Sequence, residues 1–198
     1  MRLVDTSAHG GVDRITEKGL VYDGVEYDVD CIIFATGFEV GTAYTRRAGF
    51  EIYGRGGKTL TDYWSGGLKT LHGFYSSGFP NCFHMGLSQN AITANFPHML
   101  EEQARHITAV IRQAKEMEAR CLEPTPEAEA EWVRTIREKS AVSQHFQQEC
   151  TPGYYNNEGK PDQGAGFLGE VYGGGPLEFH DLIRQWRSEG QMTGLLIR

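Results

Sequence analysis

The sequence predicts an α/β fold: a partial sheet entered through a β-hairpin, three main helices and long loops. Three observations carry this reading. Cys31, Ile32, Ile33 and Phe34 are four apolar side chains in a row with no solvent face, which predicts a strand over 31–36 covered on both sides. Ahead of it, Leu20 and Tyr22 precede an Asp23-Gly24 pair, after which Val25, Tyr27 and Val29 take every second position. Asp-Gly between alternating segments predicts a two-residue hairpin turn. Beyond residue 95 the period lengthens from two to that of a helix.

The first helix carries Leu100, Ala104, Ile107, Ile111 and Ala114 at steps of four and three, which predicts that these residues face the core. Asn95 is its candidate cap, with Pro97 close behind. A second helix is predicted from Thr125 as cap, Pro126 at the first helical position and Glu127 and Glu129 in the first turn, with Trp132 and Ile136 on one face. A third starts near Pro176, places Phe179, Leu182, Ile183 and Trp186 on one face and stops at Gly190. Leu195, Leu196 and Ile197 then suit a terminal strand, and Gly78 to Gly86 read as a turn followed by a short strand. Periodicity disappears from 143 to 175, a stretch rich in Gly, Asn and Pro.

Composition narrows the function. The chain has 198 residues, 39% hydrophobic and 23% charged, and its 25 glycines predict many turns and close backbone approaches. A net charge of -7 with no basic stripe argues against nucleic acid as a partner. No apolar run approaches the ~20 residues of a membrane span, and no N-terminal signal pattern is present, so the expected location is cytoplasmic. Cys31, Cys82, Cys121 and Cys150 lie far apart without a C-x-x-C pair and read as reduced, with Cys31 and Cys82 as buried fillers.

Three candidate chemistries fail. Gly54 to Thr59 superficially suggests a phosphate loop, but Ile52 stands where the Walker pattern requires glycine. Among seven histidines there is no H-x-x-x-H pair; His98 and His106, eight apart and off the apolar stripe, read as solvated rather than metal ligands. No G-x-S-x-G elbow supports a serine hydrolase.

What remains is an ordered series of short matches: Leu3 to Thr6, Ile15 to Gly19, Asp30 to Phe38, Trp64, Gly78 to Phe83, Glu102-Gln103, Glu131 to Val133 and Gly159 to Pro161. In order and spacing it resembles the C-terminal part of a class B flavoprotein monooxygenase, most closely the Baeyer-Villiger type. The resemblance covers nearly the whole chain. It implies a fragment of a flavoprotein with two dinucleotide-binding domains, divided into 1–37 (end of the NADP-domain-like segment), 38–120 (return to the flavin domain and long helix) and 121–198 (cap-like segment).

On this resemblance Ala35, Thr36 and Gly37 form the A-T-G crossover, and Gly86, Gln89, Thr93, Asn95 and Phe96 line the isoalloxazine ring. Tyr154 and Lys160 belong to a loop that closes over NADP. The intact parent would use FAD and NADPH to insert oxygen next to a ketone or aldehyde carbonyl; nitrogen or sulfur oxygenation is the alternative chemistry. Neither G-x-G-x-x-G fingerprint occurs in the sequence, and Arg2 does not match the family's catalytic arginine, so no catalytic residue is assigned. The chain alone is expected to retain no cofactor and to lack activity, its partners being the missing N-terminal FAD and NADP domains. The competing expectation is a noncatalytic binding module, dimerising through apolar surface around Cys31 to Phe34 and Phe83 to Leu87.

Overall fold

A computed structural model describes residues 2–35, 44–149 and 170–198. The chain divides into two units, Met1–Val40 and Gly41–Arg198.

The first unit is a three-stranded antiparallel meander of β1 (Arg14–Ile15), β2 (Gly19–Tyr22) and β3 (Val25–Asp28). The predicted hairpin is present: Tyr22 pairs with Val25 and Gly19 with Asp28. Asp23 and Gly24 hold φ of 48° and 70°, the left-handed pair that a two-residue turn matching strand twist requires. Thr16 shapes the preceding turn, its Oγ1 accepting from Gly19 N–H at 3.1 Å while donating to Glu26 at 2.8 Å.

The strand predicted over 31–36 is not formed in its described part. Residues 31–35 join no ladder, and Ile33 and Phe34 are 84% and 71% exposed. An apolar run is necessary for a doubly covered strand but not sufficient; neighbouring strands must supply the hydrogen bonds and the cover. Cys31 is likewise exposed rather than a buried filler.

The second unit contains two short helices, α1 (Tyr44–Ala48) and α2 (Leu60–Tyr63), then α3 (Phe96–Glu116), β4 (Leu122–Pro124), α4 (Pro126–Glu149), α5 (Gly175–Glu189) and β5 (Leu195–Ile197). Leu71, Phe74, Val110, Trp132, Ile136 and Phe179 lie at the centre of its core. The terminal strand falls where the sequence predicts it and pairs antiparallel with β4, a strand the sequence reading did not predict.

Helix ends follow local chemistry. Asn95 Oδ1 accepts from His98 N–H at 3.1 Å, capping α3. Thr125 Oγ1 accepts from Ala128 N–H at 3.1 Å, and Gly190, at φ 69°, terminates α5. Thr125→Ala should therefore lower unfolding free energy by about 1 kcal/mol, read by urea titration; an unchanged midpoint would mean that the cap is replaced by solvent at no cost. α4 continues to Glu149, taking in the first seven residues of the stretch without periodicity.

Two expectations for this unit change. The buried face of α3 is Met99, Gln103, His106, Val110 and Ala114; Ala114 is buried as predicted, the other four lie one residue ahead of the predicted stripe, and Ile111 is 37% exposed. Two polar side chains occupy that face because each has a partner: Gln103 bonds to Gly86 and His106 Nε2 lies 2.7 Å from the Tyr75 hydroxyl. His106 is thus buried, not solvated. The segment after Gly78 forms the predicted turn but no strand; it is held by separate backbone bonds, Asn81 N–H to Leu122 C=O and His84 N–H to Phe74 C=O, both at 2.8 Å. Cys82 there is half-buried, and burial pushes its thiol up.

The Gly-rich stretch at 54–57 is a tight turn tied to Gly78 through Arg55 N–H at 2.8 Å. Its Arg55 guanidinium pairs with Glu123 at 3.1 Å instead of facing a phosphate cradle.

Candidate functional site

The segment from Gly86 to Phe96 passes from the core turn to the start of α3. Its first half is pinned from three directions. Gly86, at φ 114°, donates its N–H to Gln103 Oε1 at 2.8 Å and accepts from Gln103 Nε2 at its carbonyl, also at 2.8 Å. Gln89, 2% exposed and at φ 57°, accepts from Thr70 N–H and Oγ1 at 3.1 and 2.6 Å and donates to Leu68 C=O at 2.8 Å. The carbonyl of Gln89 accepts from Trp132 Nε1 on α4 at 3.3 Å, and that of Asn90 accepts from Tyr172 N–H at 3.0 Å.

The second half is open. Ile92 and Phe96 are 38% and 43% exposed, Asn95 is exposed, and Thr93 is half-buried with its hydroxyl 3.3 Å from Asn95 N. A Cβ added at Gly86 would meet no atom within 4 Å. Segment 86–96 therefore has a fixed back, a partly apolar front and, at its end, the positive pole of a 21-residue helix.

Behind it the core is rich in titratable groups that stay neutral. Burial pushes His72 and His84 down to about 4, and burial together with neighbouring His72 and Arg187 pushes His106 down to about 3. Burial raises the Tyr75 phenol. His84 leans on Trp64 at 4.8 Å between ring centres, with its Nε2 3.1 Å from Ser76 Oγ. None of these groups changes charge near pH 7, so they shape the site and leave proton transfer to other groups. Among the described residues no three His, Cys, Asp or Glu side chains are placed to hold a metal ion, and no helix is long and apolar enough to cross a membrane.

Of the residues expected at a cofactor site, Gly86, Gln89, Thr93, Asn95 and Phe96 lie along this one segment. The side chain of Gln89 is committed to residues 68–70 and its carbonyl to Trp132. Ala35 is exposed in the first unit. Thr36, Gly37, Tyr154 and Lys160 lie outside the described residues. Sequence reasoning missed the supports, Thr70 and Gln103 above all. The available signal was Gln103, two turns beyond the cap and in helical register with Met99, Val110 and Ala114.

No family profile matches the chain. Individual proteins do. It is 44% identical over 198 residues to pentalenolactone D synthase of Streptomyces arenae, covering 99% of this chain and 33% of that protein. Baeyer-Villiger monooxygenase 4 of Dietzia sp. is 39% identical over 186 residues, 94% of this chain and 30% of its own length. FAD-binding monooxygenase hmp7 of Hypomyces subiculosus is 40% identical, with 98% and 32% covered.

Among solved structures, the polycyclic ketone monooxygenase of Thermothelomyces thermophila superposes with a TM-score of 0.80 at 33% identity, covering 98% of this chain and 32% of that one. An oxidized steroid monooxygenase bound to NADP gives 0.74 at 29% identity, with 94% and 33% covered. The chain thus spans about a third of the length of the curated relatives it matches. With near-complete coverage at this identity and the same backbone, the chain corresponds to the C-terminal part of a Baeyer-Villiger monooxygenase-like flavoprotein.

Proposed function

We propose that this chain forms the flavin-facing return segment and the cap of a longer monooxygenase that uses FAD and NADPH to insert oxygen next to a ketone or aldehyde carbonyl. The observation that carries it is the pinned segment 86–96, fixed from behind and open in front at the start of α3. Gly86, Gln89, Thr93, Asn95 and Phe96 would hold the edge of the isoalloxazine ring, the backbone at 86–91 fixing its position and Phe96 adding apolar contact. The helix start would favour negative charge on the ring. When bound, the flavin supplies the redox and oxygen chemistry.

Ala35, Thr36 and Gly37 would form the crossover between nucleotide domains, and Tyr154 and Lys160 would meet NADP. The assignment keeps the division at 1–37, 38–120 and 121–198, a small carbonyl substrate and a cytoplasmic location. The residues present fit one edge of a flavin; they do not supply the pyrophosphate sites, since neither glycine fingerprint occurs in the sequence. The 198-residue chain alone should accordingly bind FAD weakly. A second reading, a dimerising module, draws on the exposure of Ile33, Phe34 and Met85, the last 49% exposed.

The test titrates FAD, with and without NADP, into both the isolated chain and the full-length gene product, following flavin fluorescence and visible absorbance. Expected is a bound flavin, with ketone-stimulated NADPH and O2 consumption, in the full-length product only. A full-length product without flavin would overturn the oxygenase reading. Tight stoichiometric binding by the isolated chain would instead make these residues a self-sufficient cofactor module, and a flavin-free dimer would favour the second reading.

A further inference from the structure

Gln103 grips both backbone groups of a single glycine. Its Oε1 accepts from Gly86 N–H and its Nε2 donates to Gly86 C=O, both at 2.8 Å, while Gln103 itself is 2% exposed on the inner face of α3. A primary amide presents one donor and one acceptor side by side, the same pair that a neighbouring strand residue would offer, so Gln103 does the work of a ladder partner where no strand runs. Gly86 needs such a hold. Its φ of 114° is a conformation that side-chain-bearing residues rarely adopt, and a Cβ there would meet nothing within 4 Å, so no packing in front of it fixes the peptide. α3 therefore anchors the segment twice, through Asn95 at its start and through Gln103 two turns in.

We propose that Gln103 is a positioning residue for the cofactor: its two-point clamp sets the plane of the Gly86 peptide and thereby the surface that segment 86–96 offers to the flavin. This rests on the oxygenase reading above. The chemistry of the clamp makes a specific demand. A carboxylate has two acceptors and no donor, and it would oppose the Gly86 carbonyl; a protonated carboxylic acid again has one donor and one acceptor. Gln103→Glu should thus be defective when ionised and repaired when protonated. Gln103→Met fills similar volume but has neither group, so its defect should not respond to pH.

The test uses the full-length gene product and reads FAD affinity together with the shape of the flavin absorbance band. At about pH 8 both variants should bind FAD on the order of tenfold more weakly than the unsubstituted protein, as expected for the loss of two buried hydrogen bonds. At about pH 6, where burial keeps a carboxyl at this position largely protonated, Gln103→Glu should return to within about threefold while Gln103→Met stays defective. The ionisable groups that line one cavity with Gln103 are Glu102 of α3 and His180 of α5. These are shared by both variants, so the difference between the variants isolates the new carboxyl.

Failure of the unsubstituted protein to bind FAD overturns the oxygenase reading, and the positioning role with it. If the unsubstituted protein binds FAD, equal affinity in all three proteins overturns the positioning role alone, as does a Gln103→Glu defect without acid repair. If both variants are unfolded by circular dichroism at either pH, Gln103 is a stability residue and the positioning role is also overturned.

Discussion

Trp132→Ala should remove about 3–5 kcal/mol of unfolding free energy. Trp132 is 4% exposed and lies parallel to Tyr172, with 1° between planes and 5.5 Å between ring centres. It also meets the edge of His72 at 4.8 Å and tilts against Phe179 at 6.2 Å. One side chain thus joins α4 to the turn at 72, to Tyr172 and to α5, and alanine would leave a cavity that rings on three sides cannot refill without leaving their rotamers. The indole also donates to the Gln89 carbonyl, so Trp132→Phe separates the two contributions. Phe keeps most of the packing, loses the hydrogen bond and should cost about 1–2 kcal/mol. Urea titration of both variants reads this directly, and an alanine cost below about 1 kcal/mol would mean that the aromatic cluster is not cooperative with the rest of its unit.

Trp132 also shows which parts of the molecule the sequence makes legible. It was placed on the core face of its helix because Thr125 and Pro126 fix where that helix begins and Ile136 confirms the period. Asp23-Gly24 and Gly190 were legible for the same reason: each is a backbone conformation that few residues adopt, so local chemistry suffices to locate it. The misread elements depend on distant partners. Residues 31–35 have the side chains of a covered strand and no ladder among the described residues. On α3, Gln103 and His106 are polar yet buried, and a hydrophobic pattern turns the helix away from them; only the Gly86 peptide and the Tyr75 hydroxyl, neither local to α3, explain their burial. The strand β4 is three residues long and exists because β5 returns to it from more than 70 residues away. In the candidate site, the exposed ends of the segment were readable as a cap and a helix start. Its supports were not, since Thr70, Gln103 and Trp132 reach it through tertiary contacts.

Those buried histidines give the second large effect, a steep loss of stability in mild acid. His72, His84 and His106 are held at about 4, about 4 and about 3, in each case chiefly because burial penalises the charged ring, against an ordinary value of 6.5. The unfolded chain therefore binds more protons than the folded one throughout the interval from 6.5 down to about 4, and unfolding free energy must rise with pH across it. The stabilisation is complete above 6.5 and is lost as pH falls below it. With three such groups in one unit the slope approaches about 4 kcal/mol per pH unit, enough to exhaust an ordinary domain stability of about 5–15 kcal/mol before carboxylates protonate. Burial lowers His180 in the same direction as these three, while Glu170 works in the opposite direction because burial raises its carboxyl. Glu178, lowered by its bonds to Lys139 and Tyr172, contributes stability that is present above the usual carboxylate range and lost only as pH falls through it, so it adds no slope across this interval. Urea titrations from about pH 7.5 to about pH 4.5 should show this slope, and His106→Gln, which keeps a partner for the Tyr75 hydroxyl, should flatten it by about a third. A flat profile across that interval would show that the folded unit admits protons to these rings, and with them the water that the packing around Trp132 is built to exclude.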